Sequence, residues 1–300
     1  MATQAVSETR TIAAAQYRRG ALLVAGAALA WSSAGIITRL TTTDGWTTLF
    51  WRSVFSTLFL AAYILWRDRG SAIASFRALG LGGLGVGAAF GTSMTCFIIA
   101  LKETAVANVL IFQASAPFVA ALLAWAWLGE KVSRRSVLAI MATVLGIAIM
   151  VSDSVAKGRV LGDLISAVMG ISFAVMVVLA RRHREVSMTS AMCLATGLAA
   201  LASAPVATMA VGRTDLALLA LFGIGQMGLA LILFTAGVRL IPAADAGLIT
   251  VIEVILAPFW VWLAFAENPG IRALIGGAVV LAAVIGHTLV EKRAMEAAAE

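Results

Sequence analysis

Long apolar runs, separated by short polar breaks, fill the chain from Gly20 to Val290. Each run spans about 20 residues, the length of helix that crosses roughly 30 Å of hydrocarbon. Residues 20–40, 46–66, 78–101, 105–128 and 135–151 give five such runs. Residues 160–180, 188–211, 216–238, 243–265 and 271–290 give five more. The pattern predicts an all-α membrane protein with ten transmembrane helices. Residues 1–17 read as a mobile N-terminal tail. The polar stretch 152–159 reads as a hinge between two halves, 18–151 and 160–290, that pack into one transmembrane domain.

The two halves repeat each other. A constant offset carries Gly91, Phe97, Lys102, Asn108, Trp125, Glu130 and Arg135 onto Gly228, Phe234, Arg239, Asp245, Trp262, Glu267 and Arg272. A slightly larger offset carries Gly20, Leu22, Ala25, Trp31 and Arg39 onto Gly162, Leu164, Ala167, Phe173 and Arg181. Five spans per copy is an odd number, so the second copy enters the membrane upside down. Inverted repeats of this kind are a mark of alternating-access transport.

Composition places the solvent of this chain in lipid. Hydrophobic residues make up 61% and charged residues 12%, about half the charged share of a soluble domain. The net charge of +7 raises the question of nucleic acid, but the basic residues occupy loops between apolar runs. With the N-terminus in the cytoplasm, fifteen of the 22 Lys and Arg residues fall on the inner side and six on the outer, with Arg52 inside a span. That bias puts both termini in the cytoplasm. Arg18-Arg19 before an apolar stretch resembles a signal peptide, yet the run continues to Ile37, too far for a cleaved segment. Cys96 and Cys193 lie inside apolar runs and read as buried thiols, with no metal-ligand spacing.

Family markers sit on both halves. They are Trp31-Ser32-Ser33, Phe50-Trp51-Arg52, the run from Ala116-Pro117-Phe118 to Leu128-Gly129-Glu130-Lys131, and Glu253 to Pro258 leading to Glu267. On these motifs the chain resembles the EamA-type permeases of the drug/metabolite transporter superfamily, over nearly its whole length. The resemblance implies a five-plus-five fold and the export of amino acids, metabolites or drugs. The second copy departs from the pattern where Ala266 replaces the glycine before Glu267, which leaves that turn a capping role.

Polar residues inside spans are costly and need a reason. Glu253, near the middle of its span, suits proton coupling or a substrate ammonium, or else a packed structural acid. Arg52 offers a planar fork for a carboxylate; snorkelling to headgroups or an internal ion pair are the alternatives. Gln226, Asn108 and Gln113 suit a zwitterion or act as interhelical glue. Trp31, Ser32 and Ser33 form a wall for a cavity or simple packing. Trp46, Trp51, Trp66, Trp125, Trp127, Trp260 and Trp262 read as interfacial anchors, and His287 as an interfacial residue. Gly83, Gly87 and Gly91 make a small-residue ladder for close packing. Pro117 and Pro258 are expected to bend their helices and free carbonyls as gates.

The expectation is a multi-pass transporter of the bacterial inner membrane, exporting amino acids through a midplane cavity. A broad drug or nucleotide-sugar carrier and a passive channel are the alternatives. A single intramembrane cation, Arg52, argues against phosphate-rich cargo. No catalytic residue, metal site or cofactor is expected: His183 and His287 lie in separate segments, and no phosphate-binding glycine loop is present. The partners are a small-molecule substrate and lipid, without nucleic acid, in a monomer or homodimer.

Overall fold

The computed structural model describes residues 2–129, 134–156, 160–183 and 187–299. Glu130 and Lys131 of the first-copy turn, and residues 157–159 of the expected hinge, lie outside them. Every regular element among the described residues is helical. In the first copy these are α1 (Ala2–Ser32), α2 (Ala34–Leu40), α3 (Gly45–Asp68), α4 (Ala72–Arg77), α5 (Gly80–Glu103), α6 (Val106–Leu128) and α7 (Arg134–Ala156). The second copy has α8 (Val160–Arg182), α9 (Met188–Ser203), α10 (Arg213–Ala220), a π-helical segment (Leu221–Leu229), α11 (Ala230–Gly237), α12 (Ala243–Phe265) and α13 (Ile271–Ala299).

Eight of the described helical stretches are long and apolar enough to cross a membrane. The apolar parts Ser136–Ser152 of α7 and Met188–Ser203 of α9 are shorter. The span expected to run from 188 to 211 ends early, at Ser203. Pro205 stands two positions further on; Ala204 before it keeps α-region angles, but proline has no N–H to continue the helical hydrogen bonds. The chain beyond folds back instead, and the Thr208 N–H donates to Thr47 Oγ1 over 2.9 Å. The first expected span is likewise broken, at Ser33, between α1 and α2.

The two copies interleave. α8 packs on α5 and α6, while its counterpart α1 packs on α11 and α12. The contact points match. A Cβ on Gly162 would meet Thr104 and Glu103, and one on Gly20 would meet Ile241 and Leu240, the residues at the paired positions. Such close approach needs glycine at the crossing.

The second and the fifth long helices of one copy pack on those of the other and run antiparallel. Thr57 of α3 bonds Thr196 of α9 at 2.8 Å, while Thr47 meets Thr208 further along. On α7 and α13, Gly146 lies against Val280, and Gly276 against Met150. This is the relation that an inversion between copies demands. Leucines lie on the outside of the bundle, such as Leu81 at 88% exposure, as suits a surface set in lipid.

Asp44 caps α3. Its carboxylate accepts from the Trp46 and Thr47 N–H groups at 2.8 and 3.1 Å. Burial alone would raise the Asp44 carboxyl, but the hydrogen bonds from Thr47 and Trp46 outweigh it and hold it below its usual value. The cap therefore contributes stability above the ordinary carboxylate range, and that contribution is lost as pH falls through the depressed value. Asp44→Ala is expected to cost about 1 kcal/mol at neutral pH. The gap between the two proteins should close on acidification, as read from thermal melts in detergent.

Candidate functional site

A cross-copy hydrogen-bond chain forms where the break after α1 meets the π-helical segment. Arg52 of α3 is 2% exposed. Its Nη2 donates to Gln226 Oε1 over 3.0 Å, and Gln226 Nε2 donates to the Trp31 carbonyl over 3.4 Å. The guanidinium also lies over the Phe222 ring, 4.6 Å from its centre, a favourable cation–π arrangement. Arg52 Nε and Nη1 have no partner among the described residues. The side chain points into the bundle and not toward the headgroups. α3 comes this close because Gly223 carries no side chain: a Cβ there would sit 2.5 Å from the Arg52 carbonyl. Ser56 Oγ, within reach of both the Arg52 and Gly223 carbonyls at 2.9 and 3.0 Å, ties the crossing together. A π segment in a helix often marks a functional position.

Glu253 of α12 is buried, and the side chain of Gln113 on α6 is the group that meets it. A third cluster lies at the α5–α6 turn. Asp163 Oδ1 accepts from Thr104 Oγ1 at 3.0 Å and from Asn108 Nδ2 at 3.1 Å. Asp163 is 2% exposed, and its Oδ2 has no partner among the described residues. Asn108 and Gln113 thus serve different acids. The position paired with Asn108 behaves alike: Asp245 Oδ2 accepts from the Tyr17 hydroxyl at 3.0 Å. Each copy reaches from the start of its fourth long helix to the first helix of the other.

The two serines after Trp31 turn back on their own helix. Ser32 Oγ donates to the Leu29 carbonyl and Ser33 Oγ to the Ala30 carbonyl. Ser32 Oγ also accepts from Trp260 Nε1 at 3.1 Å, so this Trp holds α12 against α1. The Trp31 ring packs against Phe234, 5.1 Å between centres. Gly87 and Gly91 lie against the Ala191 and Ala195 carbonyls of α9, whereas Gly83 faces Leu79. Pro117 and Pro258 sit inside α6 and α12. His287 bonds Ser136 Oγ at 2.9 Å and stacks edge-on against Phe118.

At the end of the bundle carrying the α5–α6 turn, helix ends cap one another. Arg39 at the end of α2 donates to the Leu101 and Thr104 carbonyls at the end of α5. Lys102 on α5 donates in turn to the Thr38 and Thr41 carbonyls. Cations belong at these carbonyl ends. Glu267 pairs with Arg39 at 2.8 Å, and its Oε1 accepts from the Val106 N–H opening α6. Glu267 thus caps the start of α6, a helix of the other copy.

Asp163, Phe222 and the inward role of Trp260 were not legible in the sequence. Asp163 falls only three residues into its apolar run and reads as a loop-end acid. Its one signal is its place beside Gly162, the repeat partner of Gly20.

Apolar helices in two interleaved copies, enclosing paired polar groups, define a membrane transporter of small substrates. Residues 18–152 and 160–289 both match the EamA-like transporter family, and the chain belongs to that family. A solved structure described as "Crystal structure of protein" has the same fold at a TM-score of 0.62 and 21% identity, covering 90% of this chain and 97% of that one. No curated protein matches the sequence.

Removing the Asp163 carboxylate takes away the acceptor that Thr104 and Asn108 share. Asp163→Ala is expected to destabilise the protein by about 1–3 kcal/mol, with Asp163→Asn, which keeps one acceptor, costing less. Melting of the two variants in detergent checks the order.

Proposed function

We propose that this chain is a secondary transporter that exports amino acids across the bacterial inner membrane by alternating access. The observation that supports it most is the antiparallel pairing of α3 with α9 and of α7 with α13, together with polar contacts that cross between the copies. Inverted repeats of this kind carry substrate between them and rock about it. In this reading the shorter apolar parts of α7 and α9 also span, giving ten transmembrane helices. The excess of Lys and Arg on one side sets both termini in the cytoplasm. The α5–α6 end, with Arg39 and Glu267, is then the outer end.

Transport is driven by a gradient and not by ATP, and no covalent chemistry is involved. Glu253, a buried carboxylate near mid-span with the Gln113 side chain as its neighbour, is the coupling group. It takes a proton from one side and releases it to the other as the copies rock. Amino acids suit the mixture of one cation, one mid-depth acid and several amides.

Uptake of radiolabelled amino acids into proteoliposomes, with and without a proton gradient, tests the function. Saturable, gradient-stimulated uptake is expected; intact protein that moves no amino acid would end the amino-acid reading. Glu253→Gln is expected to abolish the response to the gradient and flatten the pH profile, while exchange without a gradient persists. An unchanged pH profile in folded protein removes Glu253 from the coupling role.

A further inference from the structure

Arg52 carries a positive charge that its surroundings leave unbalanced. The ion pairs among the described residues, Arg39 with Glu267 and Arg67 with Asp68, lie elsewhere. Gln226 is neutral and, by donating to the Trp31 carbonyl, keeps its oxygen turned to Arg52. It therefore fixes the guanidinium but does not neutralise it. Nε and Nη1 remain as open donors on a side chain that is 2% exposed. Burying a cation with open donors and no counter-anion is expensive, and the Phe222 face offsets only part of that cost.

We propose that Arg52 receives the carboxylate of the transported molecule, and that the site takes monocarboxylates with an apolar or aromatic body. This rests on the transport reading above and names the group that the site recognises. One carboxylate matches both the fork geometry of a guanidinium and its single charge. A phosphate dianion would leave net negative charge in a desolvated place. The neighbouring Phe222 and the Trp31–Phe234 pair favour an apolar body. No acid bonds within this chain of contacts, so the carboxylate is the required group and the ammonium is dispensable.

The test is calorimetric binding to purified wild-type protein of L-phenylalanine, 3-phenylpropanoate, L-phenylalaninamide and inorganic phosphate. Both carboxylates are expected to bind, with the amide and phosphate weaker by at least about tenfold. Arg52→Lys, which keeps the charge but loses the fork, should weaken both carboxylates by a similar factor. Equal binding of the amide, stronger binding of phosphate, or no carboxylate binding overturns the proposal, and none of these needs a variant to fold. Carboxylate binding without gradient-driven flux overturns the transport reading and leaves the site standing. Gradient-driven amino-acid flux that is unimpaired in Arg52→Lys does the reverse.

Discussion

In hydrocarbon a polar group has no water to bond, so each one inside the bundle must find a partner in the protein. That constraint shapes this fold more than any apolar contact does. Lipid tails are as apolar as leucine and give helices little reason to associate. Here the association is specified by small residues at crossings and by hydrogen bonds between helices. Gly162 and Gly20 admit the backbones of α5 and α11, and Asp163, Asp245, Gln226 and Trp260 supply the bonds.

Most of these contacts join one copy to the other. α1 and α8 each pack on helices of the opposite copy, so neither copy has a complete interior by itself. The matched bonds Asn108–Asp163 and Tyr17–Asp245 are placed alike at opposite ends of the bundle. The two ends of the bundle therefore carry related contacts between the copies.

The repeat and most helices could be read from the sequence because their signals are periodic and long. Lys102 pairs with Arg239, and Gly20 with Gly162, on spacing alone. The polar candidates were legible as well, since any amide or charge in an apolar run stands out. Their grouping was not. Trp31, Gln226 and Glu253 look like one mixed wall, but Gln226 bonds Arg52 and the Trp31 backbone, while Glu253 meets Gln113. Which face a residue presents depends on local departures from α geometry. The break at Ser33 and the π segment at Leu221–Leu229 both rotate the helix beyond them, and no turn residue announces either. The early end of α9 did have a sign in Pro205, which the apolar pattern beyond it masked.

The repeat also separates scaffold from specificity. Where the copies agree, at Gly20 and Gly162 or Asn108 and Asp245, the residues have matching contacts on both sides. The mid-depth polar residues break the register. The offset that joins Lys102 to Arg239 takes Gln226 to Ala89, Glu253 to Ala116 and Gln113 to Thr250. Ser32, likewise, meets Ala174 under the offset of the first helices. Polar groups kept only to hold helices together would serve both copies equally and would tend to recur in each. Gln226, Glu253 and Ser32 have apolar counterparts, and Gln226 holds the buried Arg52, whose other donors the protein leaves open. A transported molecule is itself asymmetric, so the residues that recognise it have no need to obey the symmetry of the frame that moves it.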